Sequence, residues 1–181
     1  LTLAPGELAA RGLGPDPRGR PRRHGIFVFA EHRDYLPTLR AALLARLASD
    51  EVLIPELEGR PVSILRGGVP PQELERARAA GPHVVATTYG YSRRGLSLPE
   101  MTAMVLATPR RHGLRQVIGR ILRRGSDEAI LREVVDIVDV RTGLRGQFAE
   151  RRRVYAEENY SLEQVRVAWE ELSENEEGPG Q

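Results

Sequence analysis

There is no lysine in this chain: all 27 of its basic residues are arginine. A Walker A loop needs a lysine after its glycines to reach nucleotide phosphates. A protein kinase needs one on a strand, and Schiff-base chemistry needs its amine. The chain performs none of these by itself. Cysteine is absent too, which excludes disulfides, thiol nucleophiles and zinc–thiolate sites. Aromatic residues are only 5%, so Leu, Val, Ile and Ala must fill the core. No apolar run approaches the roughly 20 residues of a membrane span, and no signal peptide is visible. A soluble, intracellular protein without membrane attachment is the expectation.

What is present suits one α/β domain with a small appendage: 181 residues, 40% of them apolar. The net charge of +2 hides an uneven distribution. Arg93, Arg94, Arg110, Arg111, Arg115, Arg120, Arg123 and Arg124 crowd one third of the chain, and the stretch from Glu170 to Glu177 is acidic. Local basic density of this kind suits a phosphate-bearing partner. Beginning at Leu1 and not Met, the chain is expected to be an excerpt of a longer protein.

Residues 1–24, rich in Gly, Pro and Arg, read as a linker or disordered lead-in. Short apolar runs predict strands at 25–30, 61–68, 83–89, 103–109 and 133–139. A helix is expected from Tyr35 to Leu47, one starting at Pro71, and one over 113–124. Near-continuous apolar strands alternating with helices predict a mostly parallel sheet covered on both faces. The assignment is an α/β domain over 25–140, followed by a helical extension over 141–172. In that extension 144–159 reads as one helix. Ser161 with Gln164 forms a capping box for a second, whose Leu162, Val165, Trp169 and Leu172 share a face. Residues 173–181 read as a disordered acidic tail.

Several motifs carry potential chemistry. "HRDYL" at 32–36 imitates a kinase catalytic loop, but Leu39 stands where the metal-binding Asn belongs and no "DFG" follows. Gly67–Gly68 after a strand could let a backbone approach phosphates closely, as it could also form an ordinary strand-to-helix turn. Thr87 and Thr88 end a buried strand, where ligands of open parallel sheets bind. A loop with Arg93, Arg94 and Gly95 follows. In "QVIGRILRRGS" Gln116, Gly119, Arg120 and Arg123 fall at i, i+3, i+4 and i+7, one face of a helix. Arginine is always charged and binds phosphate bidentately. The same spacing also fits a solvated arginine face.

Order and spacing together resemble a known group. "FVFAEHRDYL", "ILRGG", "VVATTYGYSRRGLSLPEMTAMVLATP" and "QVIGRILR" look like motifs IV, V and VI of superfamily 2 helicases. They are most similar to the DEAD-like helicases of phages and large DNA viruses. The likeness covers residues 25–160 and implies a RecA-like three-layer domain with a C-terminal helical extension. It also implies an ATP-dependent helicase, in which ATP with Mg2+ lies between two RecA-like domains. The first domain, outside this chain, supplies the Walker A lysine and most of the metal ligands. On this resemblance Arg120 and Arg123 are arginine fingers, and Gln116, Gly119, Gly95 and Ser97 line or couple the ATP site. Thr88, Gly67, Arg33 and Arg94 match positions that touch nucleic acid, DNA or else RNA. Ser97 departs from the Asp usual after "GL", so it can hydrogen-bond but not pair ionically. The fragment by itself is expected to be inactive. A viral source would place the protein in the virion, viral factory, host cytoplasm or nucleus. The alternative is a helicase-like module that binds nucleic acid or protein without hydrolysis.

Overall fold

A computed structural model of the chain describes residues 24–49, 62–81, 83–94, 96–110, 112–122, 128–139, 142 and 144–166. Among the described residues five strands and five α-helices alternate. The strands are β1 (Gly25–Ala30), β2 (Val62–Leu65), β3 (Val84–Thr88), β4 (Met101–Leu106) and β5 (Glu133–Asp136). The helices are α1 (Leu36–Ser49), α2 (Pro71–Ala79), α3 (Tyr89–Arg93), α4 (Leu114–Ile118) and α5 (Arg145–Glu157). A 3-10 turn over Arg33–Tyr35 precedes α1.

The sheet order is β2-β3-β1-β4-β5, and every neighbouring pair is parallel. Parallel strands need crossovers, so helices must cover both faces. The side chains of β1 show the division. Phe27 and Phe29 join Leu74 and Ala77 of α2, Leu114, Val117 and Ile118 of α4, and Tyr155 of α5. Val28 points the other way, into a cluster with Leu39 and Leu43 of α1. This is the three-layer, RecA-like α/β architecture. Each buried Phe or Leu side chain contributes about 1.5–3 kcal/mol, so β1 is the spine of the core. Gly25 is obligatory at its start: a Cβ there would lie 2.4 Å from the Glu100 carbonyl oxygen, at a register shift between β1 and β4.

Register aligns the carboxyl ends of all five strands. Leu65, Thr87, Phe29, Leu106 and Asp136 form one row across the sheet. The residues that follow this row in each strand therefore meet along one edge. In a doubly wound sheet that edge is where ligands bind.

Three elements differ from expectation. The loop expected after the third strand, with Arg93 and Arg94, opens instead as helix, because α3 begins directly after β3, capped by Thr88. The helix expected over 113–124 ends at Ile118. Gly119, the costliest ordinary residue in a helix, stands at its end, and the chain tightens into i→i+3 bonds: Arg120 N to Val117 O at 2.9 Å and Ile121 N to Ile118 O at 3.0 Å. The second helix of the extension is absent over 161–166. There Asn159 takes φ 60, Tyr160 N reaches Tyr155 O and Asn159 N reaches Ala156 O. This is a Schellman stop, sealed by the Tyr155 and Tyr160 rings meeting edge-on at 6.2 Å. Leu162 and Val165 are consequently exposed. Trp169, Leu172, the lead-in 1–23 and the tail 173–181 lie outside the described residues. Among the described residues no helix is long and apolar enough to cross a membrane.

Candidate functional site

The carboxyl edge of the sheet is built from the chain immediately after each strand. After β3, Thr88 is 9% exposed and its Oγ1 accepts from Tyr91 N at 3.2 Å. The hydroxyl thus caps α3 and keeps its proton for another acceptor. Thr87 is committed elsewhere: its hydroxyl donates to the Leu65 carbonyl at 2.6 Å, tying β3 to β2. Arg94 ends α3 and, like Arg93, is exposed. After β1, Arg33 lies in the 3-10 turn with its Nε 3.5 Å from Asp34 Oδ1, both well exposed. After β2, Gly67 is exposed, and a Cβ added there would have open space for 4 Å around it. Its neighbour Gly68, at φ +85, is the glycine that the turn requires.

The α4 turn behaves differently. Gln116 and Gly119 are exposed, while Arg120 is turned inward at 8% exposure. Its Nη1 donates to the Leu96 carbonyl at 3.3 Å. Leu96 and Leu98 are buried on either side of half-buried Ser97. The structure therefore brings Arg120 to the segment holding Ser97 and separates it from Gln116, which faces solvent. Gly95 and Arg123 lie outside the described residues.

Sequence reasoning missed a second constellation on this edge. Tyr89 is fully buried and stacks on Phe29, with ring centroids 5.3 Å apart. The Arg110 guanidinium covers the Tyr89 ring at 4.6 Å. The Tyr89 hydroxyl donates to the Thr108 carbonyl at 2.8 Å. Arg110 Nε donates to His112 O at 2.6 Å, and its Nη1 lies 3.6 Å from Glu31 Oε2. Behind it, Arg151 Nη1 donates to the Arg110 carbonyl at 3.2 Å. Arg151 Nε and the Tyr155 hydroxyl both donate to Asp136 Oδ2, at 2.7 Å and 2.9 Å. The Arg151 and Asp136 side chains are 1% and 8% exposed. No local signal marks this group, because Arg110 follows β4 and Asp136 ends β5, and those strands are joined only by non-local pairing.

Burial, and then the charge of Asp136, push the Tyr89 and Tyr155 phenols far above their ordinary value of 10.0. Burial raises Tyr160 as well. Tyr89 and Tyr155 are hydrogen-bond donors, not bases. Among the described residues no group of three or more His, Asp or Glu is placed to hold a metal ion. The edge is instead a surface of hydroxyls and guanidiniums, whose chemistry is recognition of oxyanions.

A five-stranded parallel sheet of this order, with arginines behind β4 and a hydroxyl at the end of β3, defines a RecA-like domain of the helicase C-terminal kind. The fold recurs in T4 UvsW, with TM-score 0.54 and 19% identity over 78% of this chain and 31% of that one. It recurs in the C-terminal domain of the DEAD-box protein Dbp5, with TM-score 0.54 and 19% identity over 84% and 81%. It also recurs in domain 2 of the DEAD-box helicase Mss116p bound to an RNA duplex, with TM-score 0.55 and 14% identity over 93% and 59%. No protein-family model matches the chain. By sequence, it is 38% identical over 148 residues to proteins of African swine fever virus named as ATP-dependent RNA helicases, in the Tick/Malawi and Pig/Kenya isolates. The match covers 82% of this chain and 28% of those proteins, so the chain spans just over a quarter of their length. The chain belongs to the superfamily 2 helicases as a C-terminal RecA-like domain, and its kin are those of a large DNA virus.

Proposed function

We propose that the chain is the second motor domain of an ATP-dependent helicase or translocase. It works against a first RecA-like domain that binds ATP with Mg2+. The observation that carries this reading is the contact between Arg120 and the Leu96 carbonyl. It joins the two segments, around Ser97 and around Gly119, that the resemblance assigns to one ATP site. On this reading Arg120 exchanges its carbonyl for phosphate oxygens when the domains close, and Arg123 reaches the same triphosphate. Gln116, Gly119, Gly95 and Ser97 line or couple that site. Charge spread over the transferring phosphoryl group is what a guanidinium stabilises. The metal belongs to the first domain. Thr88, Gly67, Arg33 and Arg94 grip the nucleic-acid backbone at the carboxyl edge. Closure and opening of the cleft then move one grip past the other.

The viral relatives are named as RNA helicases, which makes RNA the first substrate to test beside the DNA expected from sequence. In the full-length protein, Arg120→Ala should lower nucleic-acid-stimulated ATP turnover by about 10³-fold or more. Arg120→Lys should recover only a small part, because the planar fork is lost. Thermal unfolding of both variants separates chemistry from folding. Wild-type turnover in a folded Arg120→Ala protein would overturn the assignment. The domain divisions at 24/25 and 140/141 are likewise proposed, and limited proteolysis tests them.

A further inference from the structure

Arg93 and Arg110 reach the carboxyl edge from opposite sides. Arg93 ends α3 beyond β3, and Arg110 follows β4, the two strands that flank β1. Their guanidiniums converge over Gly113. A Cβ on Gly113 would lie 3.3 Å from Arg93 Nη2 and 3.9 Å from Arg110 Nε and Nη2. Gly113 sits at φ +78, so its backbone favours glycine and the space between the two cations stays open.

The charge there is only partly compensated. Glu31 approaches Arg110 Nη1 at 3.6 Å and is half exposed. Among the described residues no acceptor faces Arg93. Two like charges gathered on one point repel each other, and only an intervening anion reverses the sign of that interaction. Arg110 is also restrained. Its planar face rests on Tyr89, its Nε is tied to His112 O, and its backbone carbonyl is held by Arg151. A guanidinium immobilised before binding loses little entropy when it binds. What remains is Nη2, facing Gly113.

We propose that Arg93 and Arg110, converging over Gly113, form a phosphate-binding site for the backbone of a single-stranded nucleic acid, with Glu31 as the counter-ion that phosphate displaces. The site rests on the nucleic-acid reading above and adds two residues to it. It lies on the carboxyl edge that also carries Thr88, with Arg110 beside Glu31, the residue that follows β1. Arg120 instead points to Leu96. The favoured phosphate is therefore a phosphodiester and not the nucleotide's.

The test is binding of labelled oligo(U) and oligo(dT) to the 181-residue chain across a salt series. Arg93→Ala should weaken binding by roughly fivefold or more and lower the slope of log K against log salt by about 0.7, one phosphate contact on a single strand. Arg110→Lys should fall between wild type and Arg93→Ala, because it keeps the charge and loses the fork. Arg76→Ala removes the same charge from exposed α2 and serves as the control. Equal affinity and slope in Arg93→Ala and Arg76→Ala, with wild type binding well, would overturn this site and leave the functional reading standing. Failure of the wild-type chain to bind either oligonucleotide would remove both. Tripolyphosphate binding that is lost in Arg93→Ala, with oligonucleotide binding intact, would overturn the ligand assignment in favour of a nucleotide.

Discussion

The corner where α5 meets β5 and the edge where α3 meets the α4 turn use arginine in opposite ways. At the first, Arg151 is 1% exposed and neutralised by Asp136 at 2.7 Å. Asp136 also receives the Tyr155 hydroxyl. At the second, Arg93 and Arg94 are exposed, and no carboxylate among the described residues answers them. Arg110 lies between the two regimes, paired loosely with Glu31 on one side and held by Arg151 on the other. A charge that the fold needs is compensated within the fold. At the α3 edge the charges proposed for a ligand are left without a carboxylate among the described residues. Burial alone does not sort the two, since Arg120 is buried at 8% yet is the residue proposed for ATP.

The sharpest way to break this comparison is to remove one member of the compensated pair. Arg151→Met leaves Asp136 buried without its cation and should destabilise the chain by about 3–5 kcal/mol, read by chemical denaturation. Asp136→Ala should act similarly. The double variant Asp136→Leu with Arg151→Met should recover much of that loss, because two matched apolar groups need no desolvation of charge. If Arg151→Met cost no more than Arg93→Ala, the two regions would not differ in the way described.

Tyr155 tests the same corner through pH. Its phenol is raised above 10.0 by burial and by Asp136, so the folded state holds its proton more tightly than the unfolded state does. The resulting stability is complete below pH 10 and is lost as pH climbs above 10 toward the raised folded value. Tyr155→Phe should cost about 1.5–3 kcal/mol at neutral pH, the worth of a hydrogen bond to a charged group. It should also flatten the alkaline loss. A variant whose stability falls as steeply as wild type above about pH 10 would show that the phenol carries none of it.

Much of this architecture was legible in sequence because it rests on local pattern. "GIFVFA" is bounded by glycine and predicts β1 to the residue, and Pro71 predicts the first residue of α2. Strand existence follows from apolar runs. Strand order does not, because β1 lies between β3 and β4 only through pairing of distant segments. The Arg93–Arg110 convergence inherits that non-locality: the two are neighbours because β3 and β4 flank β1. The failures have the same character. Helical spacing placed Gln116 and Arg120 on one face, but Gly119 ends the helix between them and turns Arg120 inward. The capping box at Ser161 is a genuine local signal, overridden by the Asn159 reversal and the Tyr160–Tyr155 contact immediately before it.

The smallest effect comes from a pair with geometry as good as that of Arg151. Arg76 Nη1 lies 2.7 Å from Glu73 Oε1 on α2, at i,i+3 spacing, with side chains 76% and 49% exposed. Water already solvates both groups, so little is gained by joining them, and salt screens what remains. Glu73→Ala should therefore shift stability by no more than about 0.5 kcal/mol, measured beside Asp136→Ala in the same denaturant series. The donor–acceptor distances are the same and the expected costs differ by several-fold. A large loss from Glu73→Ala would mean that distance, and not desolvation, decides what an arginine contributes here, and the contrast between the α5 corner and the α3 edge would have to be redrawn on that basis.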